Sequence, residues 1–214
     1  MNATVKKLGA LSLVFCFTLV FTANVSGQQL PPTGQISPAQ ALAKYEQALQ
    51  AATDPTRRFY LTTKTAPTAL AAGETEKAKT YARDLLEQAA GMRTNWNYGN
   101  AIHVANLVLG RIALASGNVT EAKRLLLDAG KSPGSPQLNS FGPNMLLAKE
   151  LLAKGEREAV IEYFDLCAIF WKPQDGRLSA WKALVIKGDT PDFGANLAYR
   201  LDDWRFENWA KLGI

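Results

Sequence analysis

The chain has one histidine, His103, and only two cysteines, Cys16 and Cys167. A zinc site needs three or four protein ligands, and a catalytic triad needs a histidine with two partners. The sequence therefore predicts no metal site, no cofactor and no triad. His103 and Cys167 both lie among apolar neighbours, in NAIHVANLVLG and YFDLCAIFW. This setting is typical of structural residues in a protein core.

Runs of like charge are also missing. The formal net charge is +5, and the charged residues of both signs are interspersed. Proteins that bind nucleic acid usually carry a basic patch or stripe, so we expect no nucleic-acid partner. Carboxylate pairs do occur, and they would suit acid–base chemistry on a glycan only beside a cleft that raises one pKa. These pairs are Glu74/Glu76, Glu156/Glu158 and Asp202/Asp203.

The N-terminus has the three parts of a secretory signal peptide. Lys6 and Lys7 precede an uncharged, mostly apolar run of sixteen residues, 8–23, and a polar segment with small residues follows. Val25 and Gly27 suit the cleavage subsites, which places the signal peptide at 1–27. Residues 28–36, rich in Gln, Pro and Gly, are predicted to be a flexible tether.

Two alternatives to cleavage remain. An uncleaved membrane anchor would need about 20 apolar residues, which is more than this run contains. A lipoprotein would use Cys16, but Phe15 before it is too bulky for that processing site. We expect export to the periplasm or the medium without stable membrane insertion, with anchoring as the alternative. Only Cys167 would then remain, so no internal disulfide is expected.

Strand signals are almost absent, and helix signals are frequent. Ser37, Pro38 and Gln40 form a predicted capping box with proline in the first turn. Three other pairs also predict helix starts. They are Asp54–Pro55, Asn118–Glu121 and Thr190–Pro191. We therefore predict an all-α fold.

A glycine recurs at a similar place in three related segments, 70–89, 114–130 and 151–168. Gly73, Gly117 and Gly155 each follow an apolar helix end and precede an Ala-rich amphipathic stretch. Glycine accepts the left-handed conformation that ends a helix, so each is predicted to join two helices that pack together. Three such units in series indicate an αα-hairpin solenoid.

The middle unit resembles the tetratricopeptide repeat. The matching positions are Leu109, Gly110, Gly117, Ala122, Leu126 and Ala129. They include most of the small residues that we expect where two helices contact each other closely. The resemblance implies a right-handed superhelix over 37–171. Where the family usually has aromatic residues in the first helix, this sequence has Asn106 and Ala113. In the first unit, Pro67 is predicted to kink its helix. The alternative is an ordinary helical bundle that has Ala and Gly where its helices cross, and Ala113 would be one of these small residues.

Two inserts lengthen the repeats, at 91–100 and 130–144. Insertions in solenoids tend to lie on one face, which is often the binding face. We predict that they flank a groove lined by the first helices of the units, although Trp96 and Phe141 would equally suit core plugs. The predicted partner-binding residues are Arg93, Trp96, Tyr98, Asn100, His103, Leu107, Arg111, Phe141 and Lys149.

Four of the five tryptophans lie from Trp171 onward. A solenoid must seal its last apolar face, so residues 172–214 are predicted to form a Trp-rich helical cap. Together these features predict an exported, non-catalytic adaptor or scaffold that binds a protein or peptide. A glycan or cell-wall hydrolase or lyase that uses surface carboxylates is the alternative, and a homodimer is a third interpretation.

Overall fold

The computed structural model describes residues 36–173 and 175–197, all of which belong to one compact unit. All regular elements in these ranges are helical, so the predicted all-α class is confirmed for this part of the chain. The predicted signal peptide, all of the tether before Ile36 and the part of the cap after Leu197 lie outside the described residues. The elements are α1 (Pro38–Ala51), α2 (Pro55–Ala71), α3 (Thr75–Gly91), α4 (Tyr98–Ala115), α5 (Val119–Gly130), α6 (Pro136–Phe141), α7 (Leu146–Leu152), α8 (Arg157–Phe170), α9 (Arg177–Lys187) and a 3-10 helix, Gly194–Leu197.

Three predicted helix starts are confirmed by their capping bonds. The Ser37 hydroxyl accepts the Gln40 backbone N–H at 3.2 Å, and the Gln40 side chain accepts the Ser37 N–H at 2.8 Å. Asp54 caps α2 by accepting an N–H at 2.6 Å. Asn118 accepts the Glu121 N–H at 3.1 Å to begin α5. Each bond satisfies a backbone donor that the helix itself leaves unpaired.

The three marker glycines form the same turn. Gly73, Gly117 and Gly155 have φ values of 80°, 83° and 85°. After each, the next residue donates its backbone N–H to the carbonyl five residues earlier, at 2.9, 2.9 and 3.1 Å. This bond and the left-handed residue define a Schellman helix end. The predicted α2–α3, α4–α5 and α7–α8 units are therefore joined by equivalent turns.

The predicted helix start at Thr190–Pro191 is wrong. Gly188 ends α9 with a similar turn, at φ 94°, but residues 189–193 are irregular, and up to Leu197, where the described residues end, only the 3-10 helix follows. Asp192 accepts the Gly194 N–H at 2.9 Å, and the Phe193 side chain is buried. Burial of that ring draws the chain into the core, where a helix beginning at Pro191 does not form.

The helices pack mainly with their neighbours along the chain, in the order α1, α2, α3, α4 and α5, and α2 also contacts α4. The short α7 packs on α4 and α5, and α8 packs on α5 and α9. Pro67 does not end α2, which continues to Ala71. Among the described residues, none of the helices combines the length and apolar character that a membrane span requires.

Small residues allow these close contacts, as expected at Gly110, Ala122 and Ala129, which are buried. A Cβ on Gly110 would lie 2.4 Å from Leu147 Cδ2 and 3.3 Å from Leu125 Cβ. Gly117 has a different role from close packing, because nothing lies within 4 Å of its added Cβ. Its left-handed backbone alone accounts for the glycine.

An aromatic cluster closes the described part of the chain. Trp181 on α9 contacts three buried rings, with centroids 5.0 Å away at Phe193, 5.9 Å at Trp171 and 6.2 Å at Phe164. All four side chains are buried. The predicted Trp-rich cap thus has a packed counterpart up to Leu197, while Trp204 and Trp209 lie outside the described residues.

Candidate functional site

The two predicted inserts lie against each other. Ser132 Oγ donates to the Gly99 carbonyl at 2.8 Å, and Ser135 Oγ donates to Asn100 Oδ1 at 2.7 Å. The Asn100 amide in turn donates to Gln137 Oε1 at 3.0 Å. These polar contacts link the start of α4 to the second insert. The inserts therefore share one face of the molecule, but they use their polar groups mostly to hold each other.

Trp96 stands at the edge of this face. Its side chain is 48% exposed, and its ring centroid lies 5.8 Å from that of Tyr60 on α2. Lys64 lies 6.0 Å above the Tyr60 ring. The adjoining cavity has a volume of only about 40 Å³, so it is too small for a peptide. Phe141, at the end of α6, is 58% exposed.

Three of the predicted groove residues are buried in the core instead. Asn100, His103 and Leu107 are on the side of α4 that packs inward, and none has an exposed side chain. Their assignment to an exposed groove is therefore corrected. The side of α4 that they share is covered by other elements of the fold, which the sequence pattern alone did not reveal.

His103 has the structural role that its apolar neighbours indicated. The backbone N–H of Asn144 donates to His103 Nε2 at 3.1 Å, so Nε2 is an acceptor. Nδ1 lies 3.1 Å from the Ala129 carbonyl, which can only accept, so Nδ1 carries the proton. The ring thereby joins α4 to the end of α5 and to the loop before α7. Cys167 is also buried, and burial raises the pKa of its thiol.

The other predicted residues do not form one site. Arg111 pairs with Glu150 of α7, with Nε 3.0 and 3.1 Å from the two carboxylate oxygens. Tyr98 is half-buried, whereas Arg93 and Lys149 are exposed on different elements. The predicted set is thus divided between the core, an interhelical ion pair and separate surface positions.

An open groove lies elsewhere, between α3 and α5, with α4 as its floor. Its volume is about 750 Å³, and we call it the α3–α5 groove. The residues of α4 that form the floor recur every three or four positions, as residues on one face of a helix do. The floor residues are Ile102, Asn106, Leu109, Ile112, Ala113 and Ser116, with Leu86 and Leu125 at the sides.

The sequence did contain a signal for this groove. Asn106 and Ala113, the positions at which the tetratricopeptide family has aromatics, both lie on its floor. Small or short side chains there leave space that two large rings would fill. The sequence pattern instead predicts binding near the inserts, and by sequence these two positions are only departures from the tetratricopeptide pattern.

The two rims differ in charge. On α5, Arg124 pairs with both Glu121 and Asp128, and Lys131 pairs with Asp128 at 2.9 Å. The hydrogen bond from Arg124 holds the pKa of Glu121 below its usual value. On α3, Lys79 and Arg83 line the groove, and neither has an ion-pair partner within the described ranges. The α3 rim is therefore positive, while the charges of the α5 rim balance.

The floor includes one unsatisfied acceptor. Asn106 is only 6% exposed, and its Nδ2 donates to the Ile102 carbonyl at 2.9 Å. Its Oδ1 receives no hydrogen bond from any residue in the described part of the chain. A buried amide oxygen without a donor costs free energy, and a bound group that donates to it would remove that cost.

Replacing Trp96 with alanine is expected to lower the free energy of unfolding by only about 1 kcal/mol, because half of the ring is in water and Tyr60 is its one ring partner among the described residues. Urea titration measures this, with Trp96→Phe as the control that keeps a ring. Loss of soluble protein would show instead that Trp96 is a core plug. Loss of a partner with intact folding would show that the insert face binds.

In residues 36–173 and 175–197, no three side chains among His, Cys, Asp and Glu are grouped to hold a metal ion. Of the carboxylate pairs in the sequence, Glu156 pairs with Lys123 at 2.7 Å, Glu74 and Glu76 are exposed, and Asp202/Asp203 lie outside the described residues.

Comparison with known proteins finds no match to this chain among protein-family models, curated proteins or solved structures.

Proposed function

We propose that this chain is an exported, non-catalytic adaptor that binds a segment of another protein in the α3–α5 groove. The observation that carries the proposal is a preformed concave surface with an apolar floor and charged rims. Protein-binding sites commonly combine an apolar centre with a polar border. A groove that exists before binding also reduces the entropy that association costs.

The proposed scaffold is a tetratricopeptide-like array of α2–α3, α4–α5 and α7–α8. Its support is the equivalent glycine turn in each unit and the packing of each long helix on the next. In such an array every unit contacts only its neighbours, so a departure in one unit opens a local groove without removing the rest of the core. Export is proposed from the leader-like residues 1–27 in the sequence.

The ionised state of the groove's carboxylates favours an adaptor over a glycan hydrolase or lyase. Glycosidases require one carboxylic acid with a raised pKa to protonate the leaving group. Glu121 and Asp128 are both held by Arg124, and the pKa of Glu121 is lowered. A carboxylate stabilised in its charged form is a poor general acid. The same pairs suit a rigid recognition rim.

The test fills the groove without changing the fold. Ala113→Tyr places a ring over the floor, at a position where the resembling family has an aromatic, so the helix is expected to remain folded. Ala115→Tyr makes the same change two residues later on α4, at an exposed position outside the groove. Circular dichroism and thermal unfolding would establish that both variants are folded.

The chain without residues 1–27 would then serve as bait for proteins of the exported fraction. We expect one stoichiometric partner with the wild type and with Ala115→Tyr, and no partner with Ala113→Tyr. Capture that survives Ala113→Tyr would contradict the groove. Turnover of a wall polymer without any captured protein would favour the hydrolase, and recovery of only the chain itself would favour the homodimer.

A further inference from the structure

The α3–α5 groove has one rim with free charge and one rim without it. Lys79 and Arg83 are one helical turn apart on α3, so their side chains project from the same side of that helix. On the α5 rim, by contrast, the four charged side chains that line the groove form ion pairs with each other; they are Glu121, Arg124, Asp128 and Lys131. Only the α3 rim therefore offers uncompensated charge to a ligand.

From this asymmetry we infer that the groove takes an amphipathic α-helix with acidic residues along the edge that faces α3 and one hydrogen-bond donor in its apolar stripe. The inference rests on the proposed function, because it describes the partner of that same groove. The helix in the groove is a segment of another protein.

The floor favours a helix over an extended peptide. An extended segment would bring unpaired backbone N–H and C=O groups onto an apolar surface, where each needs a partner. The described floor has four aliphatic positions, Ile102, Leu109, Ile112 and Ala113, and one buried acceptor without a donor, Asn106 Oδ1. A helix satisfies its own backbone and presents side chains at the three- and four-residue spacing of such a groove.

The acidic edge follows from the charges of the rims. A carboxylate opposite Lys79 and Arg83 gains attraction from two cations that have no competing partner in the described structure. A basic edge would meet like charge on α3, and it could gain attraction from α5 only by breaking the pairs of Arg124 and Lys131. Like-charge juxtaposition at an interface disfavours the wrong partner strongly.

The donor follows from Asn106. Its oxygen is a buried acceptor in the floor to which no described residue donates, and it lies one turn after Ile102 on the α4 face. A Ser, Thr or Gln side chain at the centre of the bound stripe would pair with it. A fully apolar stripe would bury the oxygen unpaired, which costs free energy and so selects against such a helix. Single polar pairs in helical interfaces fix register in this way.

The probes are two synthetic amphipathic helices of about 18 residues, or about five turns. Both have a leucine stripe with a central serine, and one has glutamates along one edge where the other has lysines. Fluorescence anisotropy of the labelled peptides with the chain lacking residues 1–27 measures their binding. We expect the acidic-edge peptide to bind at least about tenfold more tightly, with the preference decreasing as salt is added.

Charge reversal tests the role of the rim. Lys79→Glu with Arg83→Glu is expected to reverse the preference between the two peptides. Lys44→Glu with Lys154→Glu changes the net charge equally at two exposed positions outside the groove, and it should preserve the preference. Asn106→Leu is expected to favour a peptide with leucine at the centre over the serine-centred one, the opposite of the wild type.

The outcomes separate the inference from the proposed function. Equal binding of both peptides, lost in Ala113→Tyr, would overturn the acidic edge while leaving the groove as the binding site. Reversal of preference by the Lys44/Lys154 variant would also overturn it, since net charge would then explain the result. No binding of either peptide, or binding that Ala113→Tyr does not reduce, would count against the proposed function as well.

Discussion

Replacing Gly99 with alanine is expected to destabilise the fold by about 3 kcal/mol or more, at the upper end of the cost of overpacking. An added Cβ would lie 1.7 Å from the Gly134 carbonyl oxygen and 2.5 Å from its carbon. Both obstacles are backbone atoms, so no side-chain rotation can relieve the overlap. The second insert would have to move, and the bond from Ser132 Oγ to the Gly99 carbonyl would be strained with it.

Denaturant unfolding followed by circular dichroism measures this loss. Gly91→Ala is the matched control, because Gly91 is the last residue of α3 and has no atom within 4 Å of an added Cβ. Alanine there is expected to be neutral, or to stabilise the protein by up to about 1 kcal/mol through its higher helix propensity. A Gly99→Ala protein as stable as wild type would show that the two inserts do not contact each other as described.

Replacing Trp181 with alanine is expected to cost about 3 to 5 kcal/mol, as large-to-small changes of buried aromatics do. The ring is buried, and within the described residues it contacts all three other rings of the cluster, those of Phe193, Trp171 and Phe164. Its removal would leave a cavity between α8 and α9. Helix α9 would then lose its aromatic contacts with Phe164 and Trp171.

Urea unfolding of Trp181→Ala and Trp181→Phe separates two contributions. The phenylalanine keeps an aromatic ring in the cluster and should restore part of the lost stability. The half-exposed Trp96 provides the comparison, since its loss is expected to cost far less. If Trp181→Ala cost as little as Trp96→Ala, the α8–α9 junction would have to be held by contacts other than this cluster.

Features with local causes could be predicted from the sequence. Ser37, Asp54 and Asn118 cap helices because a side chain and a backbone N–H two or three residues apart need no other part of the fold. Gly73, Gly117 and Gly155 end helices because the left-handed backbone is costly for other residues. The structural role of His103 also followed from its immediate apolar neighbours.

Features with distant causes could not be predicted in this way. Thr190–Pro191 has a good local start signal, but the burial of Phe193 among rings from α8 and α9 decides the path of the chain. The predicted binding residues Asn100, His103 and Leu107 had a helical spacing that suits a groove. The same spacing suits a core face, and only the packing of α4 on its neighbours distinguishes the two.

The sequence by itself therefore determined where α1, α2 and α5 begin and where α2, α4 and α7 end, because capping and glycine turns involve only a few successive residues. The tertiary structure alone decided which side of α4 is open. That choice depends on how closely α3, α5 and α7 approach α4, and these distances depend on side-chain volumes far apart in the chain. Asn106 and Ala113 both lie on the floor of the α3–α5 groove, where larger side chains would reduce its volume.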